Sequence, residues 1–167
     1  MPPRILIVED DPECRASLLL HLDGIDADEA GNWSQAIELL RANDYDVALW
    51  DLGLPDRVAD PVGAFAYARE FAPRPVYVVV TGMDRRLGYR EQCIEAGADY
   101  YLDKPADRDH LRATVAAALR LQRQRADARR ARTGVLAGVH RVIAEAQRQI
   151  EASTARPGVS GHVATLQ

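Results

Sequence analysis

The stretch Val47-Ala48-Leu49-Trp50-Asp51-Leu52-Gly53-Leu54-Pro55-Asp56 constrains this chain more than any other. A continuous apolar run of this length, ending on a carboxylate and followed by Gly and Pro, suits a strand buried on both faces of a parallel sheet. Parallel neighbours need helical crossovers, so helices are expected on either side. Asp51 then falls at the strand's carboxyl end, where open α/β sheets bind ligands.

Taken in order, residues 4–8 read as a first buried strand that ends in Glu9-Asp10-Asp11-Pro12. Asp11 suits a helix cap and Pro12 the first helical position, which predicts a helix over 12–22 and frees Glu9 and Asp10 for other work. Residues 25–29 form an acidic edge strand, and Asn32 with Gln35 three residues on opens a second helix. A third helix is expected over 62–71 and a β-branched strand over 75–80, ending at Thr81-Gly82. A fourth helix over 84–96 stops at Gly97, a fifth strand covers 99–102, and Asp103-Lys104-Pro105 precedes a last helix that starts near Asp107. The pattern is α/β: a doubly wound, five-stranded parallel sheet flanked by helices.

The strand ends carry the chemistry. Glu9 and Asp10 follow strand 1, Asp51 follows strand 3, Thr81 follows strand 4 and Lys104 follows strand 5, so all converge on one crevice. Clustered carboxylates repel unless neutralised, and oxygen ligands of this kind suit Mg²⁺ with several retained waters. An ammonium and a hydroxyl facing that ion make a place for a phosphoryl-sized anion. Lys104 is the sole lysine among 21 basic residues, which singles it out from the arginines. Asp51 reads as an acceptor nucleophile, with Glu9, Asp10, Asp51 and the backbone carbonyl of Gly53 as metal ligands. Thr81 and Lys104 would hold the phosphoryl oxygens, with Gly82 allowing close backbone approach.

These residues resemble a response-regulator receiver domain of two-component signalling. The matching positions are Glu9-Asp10, Asp51 in Trp-Asp-Leu-Gly-Leu-Pro, Thr81-Gly82, Gly97-Ala98-Asp99 and Lys104-Pro105, and the resemblance covers about residues 4–118. It implies the flavodoxin-like strand order 2-1-3-4-5 and transfer from a histidine kinase or phosphotransfer protein to Asp51. It also implies a cis peptide before Pro105, and a switch in which Thr81 moves toward the phosphoryl group with Tyr101 as the switch aromatic. Plain edge packing is the other reading of Tyr101. Gly53 and Met83 occupy positions where the family tunes dephosphorylation; neither holds a hydrolytic water, so a long-lived phosphoryl group is expected.

Beyond the receiver, Leu111, Val115, Ala118 and Leu119 continue the last helix on a helical period. The net charge of −4 divides unevenly: after Ala118 nine arginines face three acids, or +6, leaving −10 to the front. Three regions are therefore expected: a receiver over 1–118, a helical extension over 119–152 broken near Gly134, and a disordered tail over 153–167. Leu136, Val139, Ile143, Ala146 and Ile150 form a short heptad seam. The extension reads as a dimerising or docking arm; DNA binding through its arginines, and a phosphorylation-independent binding module, are the alternatives. No helix-turn-helix follows, and no aromatic residue lies after Tyr101 to stack bases. Cys14 and Cys93 need no disulfide, and the four histidines share no ligand spacing. Apolar runs are too short to span a bilayer, so no membrane association and a cytoplasmic location are expected. Turnover should be limited to slow self-phosphorylation and hydrolysis, not enzymatic action on a separate substrate.

Overall fold

Period-two alternation along each strand builds two separate cores here. The computed structural model of the chain describes residues 2–22, 24–57, 59–83 and 88–154. Five strands, β1 (Ile5–Val8), β2 (Ala27–Ala30), β3 (Val47–Trp50), β4 (Val76–Thr81) and β5 (Tyr100–Asp103), pair in parallel throughout, in the order β2-β1-β3-β4-β5. Between and after them run α1 (Pro12–Leu22), α2 (Trp33–Ala42), α3 (Pro61–Phe71), α4 (Tyr89–Glu95) and α5 (Arg108–Thr154), with a 3₁₀ turn at Pro55–Arg57. Leu6, Val8, Ala48, Trp50, Tyr77 and Val79 face one side and pack on Ile37, Leu40, Phe65, Ala68 and Cys93 of α2, α3 and α4. Their sequence neighbours Ile5, Ile7, Val47, Leu49, Val76, Val78 and Val80 face the other, against α1 and α5 through Leu18, Leu22, Leu111, Val115 and Ala118. Adjacent strand residues thus serve opposite cores, which is why the strands read as unbroken apolar runs.

Local chemistry sets the helix ends. Asp11 Oδ1 accepts the N–H groups of Glu13 and Cys14 at 2.8 and 3.0 Å, and Asn32 Oδ1 accepts that of Gln35 at 2.9 Å. The α4 terminus is a paired cap: Gly97, at φ 97°, donates to the Ile94 carbonyl, and Ala98 donates to that of Cys93. The expected helix over 84–96 is observed as Tyr89–Glu95, and residues 84–87 lie outside the described residues. The second strand begins two residues later than its acidic sequence suggested, because Ala27 rather than Ile25 opens the pairing with Ile5.

The chain divides into two units, Met1–Arg125 and Ala126–Gln167. The first reaches two turns beyond the boundary expected at 118, because Leu119 and Leu121 pack on the second core and Arg125 is ion-paired within the unit. In the second unit, α5 runs unbroken through Gly134 and Gly138 to Thr154, against the break expected near 134. Each glycine costs about 1 kcal/mol in a helix, but the Ala and Arg of 126–132 and the Ala, Glu, Gln and Arg of 141–148 on either side are strong helix formers, and neither glycine removes a backbone hydrogen bond. Ser153 and Thr154 close the helix where a disordered tail was expected to begin, and 155–167 lie outside the described residues. Among the described residues no helix is long and apolar enough to cross a membrane.

Candidate functional site

The parallel ladder extends one residue past each central strand and so carries the acidic groups to their places. Glu9 N–H donates to the Ala30 carbonyl and Asp51 N–H to the Val8 carbonyl, both at 2.9 Å, while Lys104 N–H donates to the Thr81 carbonyl at 2.9 Å. The backbones of Glu9, Asp51 and Lys104 are thereby tied to the neighbouring strands.

Glu9, Asp10 and Asp51 each bring one carboxylate oxygen within 4.8 Å of the others. Lys104 Nζ lies 2.8 Å from Asp51 Oδ2, a hydrogen bond, and 2.5 Å from Glu9 Oε2, an ion pair. Glu9 is 1% exposed and Asp51 6%, whereas Asp10 opens to solvent. Burial raises the Glu9 carboxyl pKa, and the nearby Asp51 charge adds to this against the pull of Lys104. Burial alone would lower the Lys104 ammonium pKa, but its contacts with Asp51 and Glu9 outweigh that and raise it. Asp51 Oδ1 is buried with no hydrogen-bond partner. An orphaned carboxylate oxygen beside two further carboxylates is a donor set that fits a hard divalent cation.

The remaining expected residues fall around this centre. Thr81 ends β4 with 1% exposure, and its Oγ1 accepts the Met83 N–H at 3.4 Å. A Cβ on Gly53 would stand 3.3 Å from Asp51 Oδ2, so the backbone passes close to the acceptor there. A Cβ on Gly82 would sit 3.7 Å from that of Lys104. The Lys104–Pro105 peptide is cis. Tyr101 lies on β5 opposite Val79, half-buried against the first core, with the Arg90 guanidinium 5.9 Å from its ring centre.

Three contacts at the site escaped the sequence. Arg15, one turn into α1, donates to the Glu9 carbonyl at 2.6 Å and reaches the Asp10 carbonyl at 3.5 Å, while its Nε holds Glu29 at 2.8 Å. Asp56 accepts the N–H groups of Trp33 and Ser34 and the Ser34 hydroxyl at 3.0 to 3.2 Å, tying the loop after Asp51 to the start of α2. Arg57 lies 4.0 Å over the Trp33 ring, reinforcing that tie. The acid-rich loop followed by an arginine one turn later was a signal for the first; the other two depend on loop geometry that spacing does not reveal.

Doubly wound topology thus brings three carboxylates and an ammonium together at the sheet's carboxyl edge. The family profile of the response regulator receiver domain matches residues 5–116. This chain belongs to that family and so to two-component signalling. It is 33% identical over 126 residues to the response regulator protein PilR of Pseudomonas aeruginosa, covering 74% of this chain and 28% of PilR. It is 37% identical over 118 residues to a cyclic di-GMP phosphodiesterase of Thermotoga maritima, covering 70% of this chain and 31% of that protein. The chain thus spans under a third of these two relatives. Among solved structures, a CheY-like receiver domain protein from Methanospirillum hungatei superposes with a TM-score of 0.68 at 26% identity, covering 75% of this chain and 99% of that one. The receiver domain of AraT from Geobacillus stearothermophilus does so at 0.63 and 31% identity, over 75% and 98%.

Proposed function

We propose that this chain is a phosphoacceptor: Asp51 takes a phosphoryl group from the phosphohistidine of a histidine kinase or phosphotransfer protein, and the modified domain acts through a protein-interaction or dimerisation surface. The observation that carries this reading is the contact of one ammonium, Lys104, with both Glu9 and Asp51, while the other Asp51 oxygen stays buried and unpartnered. A carboxylate oxygen of Asp51 attacks phosphorus, the P–N bond of the donor breaks as the O–P bond forms, and the imidazole leaves with its electron pair. Glu9, Asp10, Asp51 and the Gly53 carbonyl would hold Mg²⁺, which offsets charge on the transferring group. Lys104 balances one phosphoryl oxygen and the Thr81 hydroxyl donates to another. The response then runs through Thr81, which moves toward the phosphoryl group, with Tyr101 as the switch aromatic.

The arginines of the extension support interaction over nucleic-acid binding. Arg125 is held by Asp99, Arg130 by Asp127 and Arg148 by Glu145, which reduces the positive charge available to a phosphate backbone. The test is intact mass after incubation with Mg²⁺ and acetyl phosphate, for the native chain beside Asp51→Asn. One added phosphoryl group on the native chain alone supports the reading, and its slow loss agrees with Gly53 and Met83 flanking the site. No gain in either chain, with acetyl phosphate or with kinase, overturns it.

A further inference from the structure

The second unit carries an apolar stripe that is exposed along its whole length. Val135, Leu136, Val139, Val142, Ile143 and Ile150 are all between 49% and 69% exposed. A solitary helix with this surface is marginal in water and requires a packing partner.

We infer that the stripe pairs with the same stripe of a second copy, the two helices running antiparallel. This rests on the dimerisation reading above and specifies its geometry. In heptad terms Leu136, Ile143 and Ile150 take a positions, Val139 and Ala146 take d, and Val135 and Val142 take g, so the apolar surface is three columns wide and lies to one side of the a/d seam. Parallel, in-register helices bring g against e, which would face Val135 and Val142 with the partner's His140 and the partner's Gln147. They would also set Arg129 and Arg132, the a and d positions one heptad upstream, against their own counterparts. Antiparallel helices bring g against g and e against e. Val142 then meets the partner's Val142, Leu136 lies over the partner's Ala146 and Val139 over the partner's Ile143, while His140 and Gln147 share the wetter side.

Charge points the same way. Six arginines and one acid occupy 120–132, whereas over 140–154 Arg141 and Arg148 are balanced by Glu145 and Glu151. In this antiparallel register Arg129, Arg130 and Arg132 lie beside the partner's residues 150–153, with Arg132 near the partner's Glu151, and the two arginine blocks stay apart. Parallel pairing sets it beside a second arginine block, and like charges at helix contacts repel.

The test uses the full chain with Cys14→Ser, in which buried Cys93 escapes labelling, and nitroxides on Ala131→Cys or Ala144→Cys, both off the stripe. At 1.5 Å rise per residue and 8–10 Å between axes, antiparallel pairing gives roughly 30–40 Å between labels at 131 and under about 20 Å at 144. Light scattering on the same samples should give the mass of two chains, and Ile143→Asp should return it to one. Short distances at both positions would overturn the antiparallel geometry and leave a parallel dimer standing. A one-chain mass at every concentration, with and without acetyl phosphate and Mg²⁺, would overturn the dimer as well.

Discussion

Arg125 grips Asp99 at two points, with Nη2 2.5 Å from Oδ1 and Nη1 3.2 Å from Oδ2. The same Asp99 Oδ2 accepts the Tyr77 N–H at 3.0 Å, so one carboxylate joins α5 to the beginnings of β4 and β5. The Asp99 side chain is 9% exposed, and removing its partner leaves a nearly buried charge answered only by a backbone amide. Arg125→Ala should therefore cost about 1–3 kcal/mol, below the full cost for a buried pair because the arginine itself is partly in water. Arg125→Lys should recover only part, since an ammonium cannot reproduce the two-point fork. Urea unfolding of the three chains checks this, and an unchanged midpoint in the alanine variant would refute it.

Arg15 holds the loop that carries two of the three carboxylates, and it does so through the carbonyls of that loop rather than through the carboxylates themselves. It is a positioning residue: its anchor on Glu29 of β2 fixes the guanidinium, and the guanidinium fixes the turn at Glu9 and Asp10. Groups of this kind typically govern metal affinity by 10- to 100-fold. Arg15→Ala should weaken Mg²⁺ binding by about tenfold or more, and Arg15→Lys should restore it only in part. Tryptophan fluorescence reads the titration, Trp50 being the neighbour of Asp51. Equal Mg²⁺ affinity in all three chains would reduce Arg15 to a surface contact.

Asp56 ties the acceptor loop to α2 with a definite pH signature. Its slight burial pushes its carboxyl pKa up, but the amides of Trp33 and Ser34 and the Ser34 hydroxyl prevail and hold it below the usual carboxylate value of 3.8. A depressed folded pKa contributes stability that is present above the unfolded value and is lost as pH falls through the folded one. Asp56→Ala should cost about 1 kcal/mol near neutrality, the typical worth of a lost cap. The gap to the native chain should narrow only below about pH 4. Carboxyl NMR supplies the direct check: Asp56 should titrate below 3.8 and rise in Ser34→Ala, and a midpoint above 3.8 in the native chain would sink the assignment.

Much of the fold was legible because its determinants are local. Strands such as 47–50 and 76–81 announce themselves as apolar runs ending on polar residues, and caps such as Asp11 and Asn32 act within three residues of their position. The carboxyl-edge cluster followed once strand ends were placed, since Glu9, Asp51 and Lys104 each sit directly after a strand. What stayed hidden depends on groups distant in sequence. The reach of the first unit to Arg125 is set by Asp99, 26 residues away. The link from Asp56 to α2 spans 22 and 23 residues. The unbroken course of α5 was missed for another reason: two glycines were weighed singly, while the Ala- and Arg-rich stretches on either side of them, 126–132 and 141–148, offset them over many turns.

Lys104 contacts two of the carboxylates proposed to hold Mg²⁺, and that overlap predicts a measurable coupling. The ammonium contacts Glu9 and Asp51, both nearly buried, so Lys104→Met leaves two negative groups facing each other without a counter-charge. Breaking a buried ion pair in this way costs about 3 kcal/mol. A divalent cation that binds the folded chain repays stability in proportion to its affinity, and affinity rises when a competing positive charge is removed. Thermal unfolding of Lys104→Met should therefore show a lower Tm than the native chain without Mg²⁺, and a larger rise on its addition. Asp10→Asn in the same background should blunt that rise, since it withdraws one of the three carboxylates while leaving the lysine position unchanged. Equal gains in the native and Lys104→Met chains would show that the ammonium and the metal do not share these oxygens.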